Sequence, residues 1–127
     1  LPLTGAVIVT TPQDVALADA QRAISMFGMQ GIERPVLGVV ENMSYFVPED
    51  APEKKYAIFG EGGGQKLAKA NQVQLLGQIP INIGVGKLFD TGNIAIDAQK
   101  LTFFNDIAGN IVRQIAITNN QAKHNGQ

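Results

Sequence analysis

The sequence predicts an α/β fold, a doubly wound and mostly parallel sheet with flanking helices, and three observations carry that prediction. Apolar, β-branched runs recur without polar alternation, as strands buried on both faces do. Between them lie segments that open with helix-start residues and close on glycine. The strand, helix, strand spacing is that of a parallel crossover. A chain of 127 residues that is 45% hydrophobic has material for one core and for a single domain at most.

The first run, Ala6-Val7-Ile8-Val9-Thr10, reads as a strand. Thr11-Pro12-Gln13-Asp14 follows. Thr11 suits an N-cap, Pro12 suits the first helical position because it has no N–H to leave unpaired, and Asp14 can close a capping box. Val15, Leu17, Ala18, Ala23, Ile24 and Phe27 then favour one helical face, with Gly28 and Gly31 as stop signals. After Pro35 a second strand, Val36-Leu37-Gly38-Val39-Val40, is closed by Glu41-Asn42.

Residues 45–58 change character, with Pro48, Pro52 and a cluster of charges, and are expected to form an exposed excursion. Gly62-Gly63-Gly64 leads into a short helix from Gln65 to Ala70, and residues 73–79 read as a third strand ending at Pro80. Residues 101–117 place Phe104, Ile107, Ala108, Ile111, Val112 and Ile115 on one helical face. A membrane-surface helix would carry a lysine- and arginine-rich polar face, whereas this one carries Asn105, Asp106, Asn110, Arg113 and Gln114. The expected organisation is therefore one domain over 1–117 and a polar tail over 118–127.

Composition narrows the function. Ten basic and 11 acidic residues leave a net charge of -1, with no electrostatic footprint for nucleic acid or anionic lipid. No cysteine is present, so disulfides, thiolate catalysis, zinc–thiolate sites and cysteine-ligated clusters are excluded on this chain. No apolar run reaches membrane-span length and no secretory leader opens the chain, so a cytoplasmic location is expected. The opening at Leu1, almost directly before a strand, is what a chain cut just ahead of that strand would show.

Two glycine clusters miss the geometry of a phosphate loop, which needs glycine, four residues, then Gly-Lys-Ser/Thr between a strand and a helix. In Gly84-Val85-Gly86-Lys87, Ile81 stands where the first glycine belongs and Leu88 where the hydroxyl belongs. Gly60-Glu61-Gly62-Gly63-Gly64-Gln65 has no lysine after a glycine, and it reads as a flexible start to the next helix. His124 is the single histidine and lies in the polar tail. Lys66 and Lys69 read as a solvated helix face, and Glu49, Asp50 and Glu53 match no calcium loop. No catalytic residue and no metal ligand is assigned.

Open parallel sheets place ligands at the carboxyl ends of their strands. There, Asn42 follows the second strand, and Pro80 with Asn82 follows the third. An amide offers a donor and an acceptor to a purine edge, and a proline ring offers an apolar wall. Asparagine and proline are also ordinary turn residues, so both readings stay open on spacing alone.

Thr4-Gly5-Ala6-Val7-Ile8-Val9-Thr10-Thr11-Pro12-Gln13-Asp14-Val15-Ala16-Leu17-Ala18-Asp19-Ala20, Val36 through Phe46, and Ile58-Phe59-Gly60 with Gly62-Gly63-Gly64 closely resemble the Mrp (ApbC) family of iron-sulfur cluster carrier ATPases. These belong to the MinD-like P-loop group, and the resemblance runs in order from about residue 1 to residue 98. It implies that this chain is the carboxy-terminal part of a P-loop NTPase that binds ATP with magnesium, forms a homodimer and delivers clusters to apo iron-sulfur client proteins. It also implies that Asn42 and the segment Ile79-Pro80 lie against adenine. The family's phosphate loop and acidic magnesium-site residue lie upstream of the point matching Leu1. Where relatives carry Cys-x-x-Cys, this chain has Val47-Pro48-Glu49-Asp50-Ala51-Pro52-Glu53. Carboxylates are poor substitutes for thiolate on a cluster, so no iron-sulfur cluster is expected on this chain. The alternative reading is a non-catalytic interaction or regulatory protein that kept the fold and lost cluster carriage. A MinD-like positioning ATPase fits less well, because that group's basic amphipathic membrane tail is missing.

Overall fold

A computed structural model describes residues 3–31, 33–81 and 102–124. Strand β1 (Ala6–Thr10), helix α1 (Asp14–Phe27), strand β2 (Val36–Glu41), helix α2 (Gly63–Ala70), strand β3 (Leu75–Gln78) and helix α3 (Thr102–His124) follow one another along the chain. The strands form a parallel sheet in the order β1-β2-β3. Ile8 pairs with Val39 and Thr10 with Glu41, while Val39 pairs with Leu75 and Glu41 with Gln78. All three strands therefore end at one level, which sets the site described below.

Helices cover both faces of the sheet. On one side Ile8 and Val39 pack against Ala20 of α1 and Leu67 and Ala68 of α2. On the other, Val40 and Leu76 pack against Ile107 of α3, with Phe103 and Ile111 beside it. Val39 and Val40 are consecutive and point to opposite faces, so both faces of the strand take apolar side chains at this level. Burying each such aliphatic side chain contributes roughly 1.5–3 kcal/mol before chain entropy is set against it. A reciprocal amide pair joins α1 to the end of α2: Gln21 Nε2 donates to Asn71 Oδ1 at 3.0 Å, and Asn71 Nδ2 donates to Gln21 Oε1 at 2.7 Å.

Several sequence expectations are revised. Burial on both faces holds for β2 but not for β1, where Val9 is 62% exposed at the edge of the sheet. Helix α1 starts at Asp14 with Gln13 as N-cap, and no side chain caps it. Thr11 instead turns the chain outside the helix, its hydroxyl contacting the Gln13 amide side chain at 3.2 Å. Helix α2 begins at Gly63, inside the triglycine, because Gly62 takes the left-handed conformation at φ +74° and turns the chain into it.

The third strand is shorter than residues 73–79, since Val73 still donates to Ala68 at the end of α2. Helix α3 continues through the expected polar tail to His124, as a run free of glycine and proline permits. Its buried face is centred on Ile107 with Phe103 and Ile111, and Val112 points outward, 64% exposed. Asn110, expected on the solvent face, donates through Nδ2 to the Leu76 carbonyl of edge strand β3 at 2.8 Å.

Candidate functional site

The ladder between β2 and β3 runs on past the ends of the strands. Ile79 N–H donates to Glu41 O at 2.8 Å, Ser44 N–H to Ile79 O at 3.0 Å and Ile81 N–H to Tyr45 O at 2.7 Å. Asn42 N–H donates across to Thr10 O of β1 at 2.7 Å. Residues 42–45 and 79–81 thus lie side by side at the carboxyl edge, held by backbone bonds rather than by side chains.

That arrangement puts Asn42, Ile79 and Pro80 at the same carboxyl edge of the sheet. The Asn42 side chain is half-buried, its Oδ1 accepts Met43 N–H at 2.9 Å, and its Nδ2 has no partner among the described residues. A half-buried amide with a spare donor suits the acceptor nitrogens on a purine edge. Met43 sits at φ +52°, a left-handed conformation rare for a side chain of its size. Such strain persists only where the surroundings enforce it, and it collects at ligand-binding positions. Pro80 is half-buried at the same edge, while the Ile79 side chain packs inward against the α3-side core. Ile79 therefore presents backbone at this edge, and Pro80 its ring. Asn82 lies outside the described residues. An open cavity of about 400 Å³ runs along β1 and α1, past Thr10 and Thr11, and reaches Asn42.

Sequence reasoning missed Glu41. It is the last residue of β2 and 1% exposed, a full carboxylate placed in the interior. Its Oε1 accepts the Ser44 hydroxyl and, at 3.4 Å, the Gln78 amide, while its Oε2 accepts Gly64 N–H at 2.6 Å. Neutral donors and the positive end of α2 replace the water this charge gave up. A glutamate closing an otherwise apolar buried strand was the available signal. The triglycine is correspondingly not a loose tether: it is fastened to Glu41 and has room for no side chain at Gly64.

Other candidates do not assemble into chemistry. Glu49, Asp50 and Glu53 lie exposed in the excursion, and no group of three potential metal ligands forms among the described residues. His124 closes α3. Gly84-Val85-Gly86-Lys87 falls outside the described residues. No described helix is long and apolar enough to cross a membrane.

Residues 1–116 match the sequence profile of the ParA family, described as NUBPL iron-transfer P-loop NTPase. The chain belongs to this NUBPL-type P-loop family. It is 46% identical over 116 residues to an iron-sulfur cluster carrier protein of Synechocystis, a match that covers 91% of this chain and 32% of the relative. To the Deinococcus radiodurans iron-sulfur cluster carrier protein it is 52% identical, again over 91% of the chain and 31% of the relative. The iron-sulfur cluster transfer protein NUBPL of Dictyostelium discoideum is 43% identical over 94% of this chain and 38% of its own length. The chain therefore spans about a third of the length of these relatives. A nucleotide-binding protein from Archaeoglobus fulgidus, solved in complex with ADP, superimposes with a TM-score of 0.61 at 37% identity, covering 72% of this chain and 36% of that one. The three-stranded parallel sheet with helices on both faces is thus part of an α/β P-loop NTPase fold.

Neither glycine cluster of this NUBPL-type chain supplies the lysine and hydroxyl at phosphate-loop spacing.

Proposed function

We propose that this chain forms the base-binding side of an ATP-binding and ATP-hydrolysing iron-sulfur cluster carrier, with the phosphate loop and magnesium site on a preceding segment of the same protein. In that reading the protein is a cytoplasmic homodimer that passes clusters to apo-protein clients. The observation that supports it is the Asn42 amide, its Nδ2 without a partner among the described residues, at the same carboxyl edge as Pro80 in a chain of the iron-transfer family. Nucleotide bound with magnesium supplies the phosphoryl group. The residues of this chain bind and orient the base, Asn42 by its amide and Pro80 by its ring, at a position remote from the reacting phosphorus.

This division of labour makes a kinetic statement. A contact to the base is made equally in the ground and transition states, so its loss raises KM and leaves kcat alone. Asn42→Ala in the full-length protein is expected to weaken ADP and ATP binding about three- to tenfold, the worth of one modest hydrogen bond. Turnover at saturating ATP should stay at the wild-type value. Calorimetric titration with ADP and steady-state hydrolysis measure the two, and unchanged affinity would remove Asn42 from the site.

A second reading rests on the excursion, which carries no cysteine between Val47 and Glu53. On it the protein keeps the nucleotide fold as an interaction or regulatory partner and carries no cluster. Loss of cluster transfer to an apo-ferredoxin, with ADP binding retained, would favour this second reading.

A further inference from the structure

The excursion follows β2 and ends at the start of α2, and its two feet, Ser44 and Gly64, are hydrogen-bonded to one buried carboxylate. Ser44 Oγ donates to Glu41 Oε1, and Gly64 N–H donates to Glu41 Oε2 at 2.6 Å. Between the feet, residues 45–63 are mostly half-buried or exposed, and one isolated antiparallel bridge closes them, Phe46 N–H to Tyr56 O at 2.7 Å and Tyr56 N–H to Phe46 O at 2.9 Å. The Lys55 ammonium lies 4.6 Å from the Tyr45 ring centroid. Tyr56, Ile58 and Phe59 are left partly exposed on this excursion. The first leg is also tied to Ile81, whose N–H donates to Tyr45 O at 2.7 Å and whose carbonyl accepts Val47 N–H at 3.3 Å, and at Gly60 the chain passes the Pro12 carbonyl too closely for a side chain.

Glu41 also immediately precedes Asn42, and its own carbonyl receives Ile79 N–H at 2.8 Å. One residue therefore joins the two strand ends of the candidate base site to both feet of the excursion. We propose that Glu41 is a positioning residue that clamps the excursion and couples its order to occupancy of the base site, a reading that rests on Asn42 contacting the base. A ligand that holds Asn42 tightens the 41–44 turn. The same turn carries Ser44, and through Glu41 the start of α2, so the excursion and its exposed apolar residues become ordered together. Without ligand the clamp still holds, but on a turn strained at Met43.

Hydrogen exchange of residues 45–63 in the full-length protein, with and without saturating ADP, tests this in three variants. Glu41→Gln keeps the side-chain volume, Ser44→Ala removes one foot, and Glu41→Ala removes the clamp. Hydrogen bonds to a buried charge carry enough free energy that Glu41→Ala should speed exchange in 45–63 about ten- to hundredfold. Ser44→Ala should speed it by less, and Glu41→Gln should recover part of the loss, since its amide can still accept from Gly64 and donate to the Ser44 oxygen. In wild type ADP should slow exchange in 45–63 several-fold beyond its effect on β1. In Glu41→Gln and Ser44→Ala that extra slowing should shrink or vanish while ADP still binds.

Exchange in 45–63 that none of the variants changes would overturn the clamp. Unaltered ADP-dependent slowing in both Glu41→Gln and Ser44→Ala would overturn the coupling. The base-site reading fails by a different signal, unchanged ADP affinity in Asn42→Ala, so the two failures are distinguishable.

Discussion

Two helical glycines should respond to the same substitution with opposite signs. At Gly64 an added Cβ would lie 2.6 Å from Glu41 Oε2, 3.0 Å from Glu41 Cβ and 3.2 Å from Glu41 Cδ. Relaxed contacts need about 3.5 Å or more, so one side must retreat by close to an ångström. The carboxylate cannot retreat without releasing Gly64 N–H and Ser44, and α2 cannot without unpacking Leu67 and Ala68 from the core. Loss of hydrogen bonds to a buried charge costs about 1.5–3 kcal/mol. Overpacking adds about 1–3 kcal/mol, and the better helix propensity of alanine returns up to about 1 kcal/mol. Gly64→Ala should therefore destabilise by about 3–5 kcal/mol, the middle of those sums. Gly109, in α3, has nothing within 4 Å of an added Cβ. There Gly→Ala should stabilise by up to about 1 kcal/mol. Urea denaturation followed by circular dichroism reads both, with the midpoint moving and the slope unchanged. A Gly64→Ala protein within about 0.5 kcal/mol of wild type would refute the tight fit of α2 onto Glu41.

Leu76 is 1% exposed between Val40 and Ile107, and Leu76→Ala should cost about 2–5 kcal/mol in the same denaturation experiment. Asn110→Ala leaves the Leu76 carbonyl without its 2.8 Å donor and also frees the Arg113 guanidinium that holds Asn110 Oδ1 at 2.9 Å. A loss of about 0.5–1.5 kcal/mol is expected there, and none would place the amide in solvent. The 127-residue chain by itself should hydrolyse no ATP, since phosphate positioning and magnesium ligation supply most of the transition-state stabilisation in phosphoryl transfer; magnesium-dependent phosphate release above a blank would refute this. Anaerobic reconstitution of the same chain with ferrous iron and sulfide should leave no stoichiometric cluster after desalting, because the chain carries no thiolate. A full-length protein that holds a cluster after deletion of residues 47–55 would place the ligands elsewhere.

Much of the fold is legible in the sequence because the signals are local. The run Val36–Val40 can only be a strand with apolar neighbours on both faces, and α1 and α2 on one side with α3 on the other provide them. Gly62 marks a helix start by its backbone freedom, at φ +74°. Placement of Asn42 and Pro80 at strand ends follows from order along the chain. Their meeting follows from parallel register, which aligns the ends of β2 and β3.

What the sequence by itself determined is the set of elements, their parallel order and the family, because each rests on residues near one another in the chain or on a colinear pattern. Tertiary structure alone decided the roles of Glu41, Asn110 and Val9. Glu41 reads as the solvated end of a strand until Ser44 and Gly64, the latter 23 positions away, are seen to converge on its carboxylate. Asn110 reads as solvent-facing until the edge of β3, 34 positions away, presents an unpaired carbonyl to it. Val9 reads as buried until the order of strands puts β1 at an edge. In each case the deciding partner is distant in sequence, and burial or hydrogen bonding of a polar group depends on which atoms surround it in space, a property that no local pattern encodes.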